Sequence, residues 1–212
     1  AIWTDASTIK GDATLLIDNN HEITLYQPRA TTPPTNSSSY NIGGGNTSVH
    51  TGYLNTGFGW HNLNLLTTAN YNSAFGSNCL LSVTSGGSNT AVGSGSGQNI
   101  ITSSQSTSIG YEAMKGTTIA TMPNGVGGAN TAIGYRSLKI IEGGGNTAIG
   151  YQSGVEMTSG YQNVIIGRFS GWRRADTTVT PNIIEYDIRA SNNNIVLSDG
   201  DSNVRQVIDS NG

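Results

Sequence analysis

Few side chains in this 212-residue chain carry reactive chemistry, and spacing decides how far each could go. The histidines are His21, His50 and His61. A zinc or iron centre needs several imidazoles converging on one point. The His-x-His pair that would bring two together is missing, so a site would need copies of His50 or His61 meeting around a three-fold axis, and no metal is expected. Cys79 is the single cysteine, which excludes an intrachain disulfide, and no histidine stands at a spacing that would activate it as a nucleophile. It reads as a small filler. Asp199 and Asp201 flank Gly200, but calcium takes about six to eight oxygens, so a turn is the plainer reading. Asp176, Glu185 and Asp187 are the best carboxylate set for glycoside hydrolysis, which needs an acid and a base at a fixed separation. Solvated charges on a strand face explain them more simply. No catalytic residue and no cofactor is expected, and the chain reads as a non-enzyme.

Composition narrows the class. Only 11% of residues are charged, against roughly 25% in an ordinary domain. Ten Lys and Arg against thirteen Asp and Glu, net charge -3, make no field to gather phosphates, so no nucleic-acid partner is expected. A membrane span needs about twenty consecutive apolar residues, and runs such as Leu15-Leu16-Ile17 are far shorter, so no membrane insertion is expected. Ala1 to Lys10 lacks a basic region followed by an apolar one, so a signal peptide is not expected there. Gly 29, Thr 25, Ser 24 and Asn 23 dominate, a mixture that without a period would suggest disorder.

A period exists. The phrase Asn/Ser, Thr/Ser, small, large apolar, Gly occurs as NTGFG, NSAFG, NTAVG, STSIG, NTAIG, NTAIG and NVIIG, ending at Gly59, Gly76, Gly93, Gly110, Gly134, Gly150 and Gly167. The intervals are 17, 17, 17, 24, 16 and 17 residues, the long one holding an insertion between Gly116 and Ala129. An imperfect copy, NTSVH at Asn46 to His50, precedes them, and Asn194-Ile195-Val196-Leu197 echoes them late. One short strand, one fixed glycine and a polar return segment describe a β-solenoid coil; helical repeats are longer. The expectation is an all-β fold, a parallel β-roll or β-solenoid rod of about 17-residue coils, each roughly 56 Å around at about 3.3 Å per residue. Strand alternation puts Thr147 and Ile149 on one face and Asn146, Ala148 and Gly150 on the other. The Thr and Ile face is expected to turn inward, leaving the small face free.

Such a core is thin. Thr84 to Ile109 contains only Val92, Ile100, Ile101 and Ile109 as large apolar residues. Each stabilises by roughly 1.5 to 3 kcal/mol when buried, while ordering costs on the order of 1 kcal/mol per residue. A homo-oligomer with cyclic symmetry about the rod axis is therefore expected, as a trimer. Composition supports the association and does not set the number.

The residues following each repeat glycine are Trp60, Ser77, Ser94, Tyr111, Tyr135, Tyr151 and Arg168. Stacked coil on coil, Tyr111, Tyr135 and Tyr151 would form a column suited either to sugar rings or to a contact between chains, the second being the simpler expectation. Trp172, within Arg168 to Arg174, and the insertion with Pro123-Asn124-Gly125 at its tip are the loop candidates for a partner surface. Thr56, Ser73, Thr90, Thr107, Thr131 and Thr147 make a ladder of the kind found in ice-binding solenoids, an expectation weakened by the Phe, Val or Ile sharing its face.

The phrases NTAIGYRSL at Asn130 to Leu138, NTAIGYQSG at Asn146 to Gly154 and NSAFGSNCL at Asn72 to Leu80 resemble the head repeats of trimeric autotransporter adhesins. Closely similar repeats occur in bacteriophage tail fibres. The resemblance covers about residues 46 to 171 and implies a left-handed β-roll wound three-fold into a fibre used for surface attachment. The spacing is longer than the adhesin pattern, which favours the phage fibre. Asn192 to Gly212 resembles the segment that in many phage fibres leads into a C-terminal trimerisation or self-cleaving chaperone domain. The organisation expected is 1–42, a β-hairpin (Ala13 to Ile17, Glu22 to Tyr26) and a Pro/Ser/Thr linker; 43–171, the repeat roll; and 172–212, a C-terminal β cap. The partners implied are further copies of the chain, other fibre or tail proteins, and a host surface glycan or protein. The location implied is the virion, with the bacterial cell surface, as a trimeric adhesin, as the alternative. A tailspike-like glycan hydrolase is the remaining alternative.

Overall fold

A computed structural model of the chain describes residues 14–17, 23–26 and 40–42 as strand backbone alone, together with 52–116, 127–173, 186–209 and 211–212. Each of the seven repeat phrases becomes a three-residue strand. These are β4 (Thr56–Phe58), β5 (Ser73–Phe75), β6 (Thr90–Val92), β7 (Thr107–Ile109), β8 (Thr131–Ile133), β9 (Thr147–Ile149) and β10 (Val164–Ile166). They are short because left-handed backbone bounds them on both sides, as at Ala129 (φ 60) and Gly134 (φ 132) around β8. Only glycine suits the second position. At Gly150 (φ +137), for instance, a Cβ would also lie 2.7 Å from the Gly167 carbonyl oxygen of the next coil.

Neighbouring strands pair in parallel without slippage, Thr131 with Thr147, Ala132 with Ala148 and Ile133 with Ile149. The chain is a parallel β-solenoid of coils near 17 residues, with no helix among the described residues. Two coils had no clear signature. Strand β3 (Tyr40–Ile42) pairs in parallel with β4, so the residues in register there are Tyr40, Asn41 and Ile42. The lead-in NTSVH lies outside the described residues, as do the linker and the Pro123-Asn124-Gly125 tip. At the other end β13 (Ile195–Ser198) pairs in parallel with β10, making the late echo a true coil. Strand β14 (Val204–Ile208) then folds back antiparallel on β13. Beside this ten-stranded sheet stand two small antiparallel pairs, the expected hairpin β1 (Thr14–Ile17) with β2 (Ile23–Tyr26), and β11 (Trp172–Arg173) with β12 (Tyr186–Asp187).

The strand faces are the reverse of the sequence expectation. The middle residue is buried, as Ala74, Ala91, Ala132, Ala148 and Ile165, while the Thr before it and the Phe, Val or Ile after it turn outward. The reason is volume. Four and seven residues after the repeat glycines the return segments send in Leu63 and Leu66, Leu80 and Val83, Leu138 and Ile141, with Ile100, Met114 and Met157 in other coils. These fill the narrow interior, so the strand opposite has room for little more than a methyl group. Several enter from left-handed backbone, Leu63 at φ 53, Leu80 at 48 and Leu138 at 46. That geometry costs on the order of 1 kcal/mol each and aims the side chain inward. Of Val92, Ile100, Ile101 and Ile109, only Ile100 is buried.

The first residue of each phrase also points in, and forms a ladder. Asn146 Oδ1 accepts the Asn163 backbone N–H at 3.0 Å and Asn163 Nδ2 at 3.1 Å, while Asn146 Nδ2 donates to the Gly160 carbonyl at 2.8 Å. The same scheme links Asn55, Asn72 and Asn89, and continues from Asn130 through Asn163 to Asn194. Where Ser106 replaces Asn, its hydroxyl accepts the Asn130 N–H at a longer 3.3 Å, in the coil that carries the insertion.

Candidate binding surfaces

Because every coil leaves its glycine at the same place, the residues after the glycines align. Tyr111 and Tyr135 stack with ring centroids 5.5 Å apart and planes 12° apart, and Tyr135 and Tyr151 stack at 5.1 Å and 8°. The guanidinium of Arg136 lies 5.0 Å from the Tyr135 ring centre and that of Arg168 5.3 Å from Tyr151. The column expected from sequence therefore exists. Its ring faces are turned on one another and, at Tyr151, on Arg168. Toward the N-terminus Ser94 and Ser77 leave two small rungs before Trp60, whose indole stacks on His61 at 4.4 Å.

Beside the column sits a cross-coil ion cluster. Glu112 is nearly buried and takes Lys115 Nζ on Oε1 at 2.7 Å, and Arg136 Nε at 2.7 Å and Lys139 Nζ at 3.3 Å on Oε2. The Lys115 ammonium foremost, then Arg136 and Lys139, hold its carboxyl down at about 2 despite partial burial. It is ionised at neutral pH and ties neighbouring coils together.

No protein-family model, curated protein or solved structure matches the chain.

Two surfaces stand out. The first is the outward face of the sheet, where Phe58, Phe75, Val92, Ile109, Ile149 and Ile166 form one apolar line, with exposures from 37% at Val92 and Ile109 to 56% at Phe58. Large contiguous apolar exposure of this kind marks an interaction surface. The Thr ladder runs outward along the same face, contrary to the inward placement expected, so each Thr alternates with a large apolar group. The second surface lies where the tyrosine column ends: Arg168 and Trp172 share the wall of a cavity of about 250 Å³. Trp172 is half-buried, and the Arg189 guanidinium stands 5.1 Å from its ring centre.

The remaining candidates find structural roles. Cys79 is buried, and its thiol donates to the Phe75 and Gly93 carbonyls at 3.3 and 2.7 Å. Desolvation pushes it up to about 11, so it is no nucleophile. Asn62, Ser137 and Ser153 fill the same place in other coils and also donate to backbone carbonyls. Asp187 is gripped by Arg189 Nε at 3.0 Å and Nη2 at 2.7 Å, which lowers its pKa; Asp176 and Glu185 lie outside the described residues. Asp199 accepts from the Asp201 and Asn203 N–H groups and from Arg205, as a turn-forming aspartate does. His21 and His50 lie outside the described residues. Sequence reasoning named Trp172 and the segment Arg168 to Arg174 but not the cavity, because its wall also takes Gln152, Asp201 and Ser202 from places far apart in the chain.

Proposed function

We propose that the chain is a structural and adhesive module of a bacteriophage tail fibre, in which three copies pack side by side into a rigid rod that attaches to a host surface. The observation that supports this best is the outward apolar line from Phe58 to Ile166 on an unbroken parallel sheet. A lone chain leaves those side chains in water at a cost of roughly 25 cal/mol per Å², and copies related by rotation about the rod axis would cover them. The number three and the phage setting come from the resemblance of the NTAIGY phrases. A hydrolase is the weaker alternative: Arg189 lowers the pKa of Asp187, which fits it for the ionised member of a glycosidase pair but not for the general acid.

Sedimentation equilibrium tests the reading. The expected particle has three times the 22.1 kDa mass of the chain, and labelled protein adsorbs to host cells without releasing reducing ends from their polysaccharide. A single-chain particle would overturn it.

A further inference from the structure

The cavity at the end of the tyrosine column brings together polar side chains of both charges. Glu112, Asp187 and Asp199 are neutralised at close range, Glu112 by three cations, Asp187 by Arg189 and Asp199 by Arg205. Here Arg168 and Asp201 line one wall and form no ion pair with each other or with any other described residue. Gln152 and Ser202 line the same space, their side chains also without a polar partner among the described residues. The position of Asp201 is fixed all the same, because its backbone N–H donates to Asp199 Oδ1 at 3.0 Å. Arg168 is steadied by its seat over the Tyr151 ring.

The apolar part of the wall is equally defined. Trp172 lines the cavity, and Arg189, which stands over its ring, does not, so the guanidinium backs the indole and leaves the cavity open. Phe169, 1% exposed, also lines it and packs on Tyr186 with centroids 6.2 Å apart. The volume, about 250 Å³, lies just under the roughly 300 to 1,000 Å³ of drug-sized sites, which suits one small ring.

We infer that this cavity binds a neutral pyranose unit of a surface glycan. A sugar ring carries a C–H face for the indole and hydroxyls on its rim. A carboxylate accepts from two such hydroxyls, while a guanidinium, an amide and a serine hydroxyl complete the pattern of donors and acceptors. With one cation and one anion on the wall, a charged ligand gains from one and loses to the other, so the site favours neutral sugars. The inference rests on the attachment reading above and gives it a chemical class of receptor.

Saturation-transfer NMR on the full chain in its native assembly provides the test, with methyl α-D-glucopyranoside, methyl α-D-galactopyranoside and methyl α-D-mannopyranoside as probes. At least one is expected to receive magnetisation and bind in the millimolar range. Asp201→Asn, which keeps the shape of the side chain, and Trp172→Ala are each expected to weaken binding about tenfold, with circular dichroism unchanged for Asp201→Asn. Absence of transfer to all three probes, undiminished binding by Asp201→Asn, or tighter binding of N-acetylneuraminic acid than of the neutral sugars would overturn the inference. Sedimentation separates this outcome from the larger reading. A three-chain particle that ignores sugars would sink the pocket alone; a single chain that binds them would sink the rod alone.

Discussion

A primary amide buried away from water must find partners at both its ends, and the solenoid meets that demand by repetition: each Asn is satisfied by the Asn one coil away. Removing one member leaves the others short. In Asn146→Ala the buried Asn163 N–H and the Gly160 carbonyl lose their partners at 3.0 and 2.8 Å. Each orphaned group costs about 1–3 kcal/mol, so denaturant unfolding should show a loss of about 2 kcal/mol or more. A leucine at the same position should be no better, since it leaves the same two groups bare. Glu112 permits a second test at this scale, with pH as the variable. Its carboxyl titrates at about 2 in the fold against an ordinary 4.5. Ionisation therefore favours the folded state above about pH 4.5, and that advantage is lost as pH falls toward 2. Wild type should melt higher than Glu112→Gln at pH 6, and the gap should narrow at pH 3 and close only below about pH 2 in parallel thermal scans.

Among the elements, the repeating strand was legible because its glycine recurs at a backbone position that other residues resist, and because Asn and Thr recur beside it. What could not be read was the sense of the strand. Period-two alternation separates two faces without saying which is inside. The answer lay in Leu63, Leu80 and Leu138, whose spacing from the repeat glycines marks the true core. The first coil escaped notice because Tyr40 stands in the Thr position, and the last was read only as a late echo because Ser198 stands in the glycine position. The tyrosine column was legible because the coil period carries Tyr111, Tyr135, Tyr151 and Arg168 to one place, whereas Asp201, on a hairpin outside the period, was read only as a turn. That hairpin carries its own prediction. Strand β14 covers the hydrogen-bonding edge of β13, and a bare parallel edge templates further pairing. Deletion of residues 203–212 should leave the coil signal in circular dichroism intact and produce concentration-dependent end-to-end assemblies in light scattering. Unchanged scattering would show that the hairpin does not guard this edge.

For the molecule as a whole, the question is what covers the outward apolar line. In an isolated chain Ile109 is 37% exposed and beside solvent, so Ile109→Glu would be nearly neutral for folding, within about 0.5 kcal/mol. In a three-chain rod the same substitution gathers three carboxylates around one axis, where like charges without counterions are strongly unfavourable. The two cases diverge in mass. The variant should sediment as a smaller particle than wild type, or fail to fold if the separated chain cannot stand with so thin a core. Wild type supplies the reading that does not depend on the variant folding. If association and folding are linked, its melting temperature rises with protein concentration, whereas a self-sufficient solenoid melts at the same temperature across a hundredfold dilution. A concentration-independent melt, together with an Ile109→Glu variant of unchanged mass, would mean that the exposed line is tolerated in water and that the rod is a single chain.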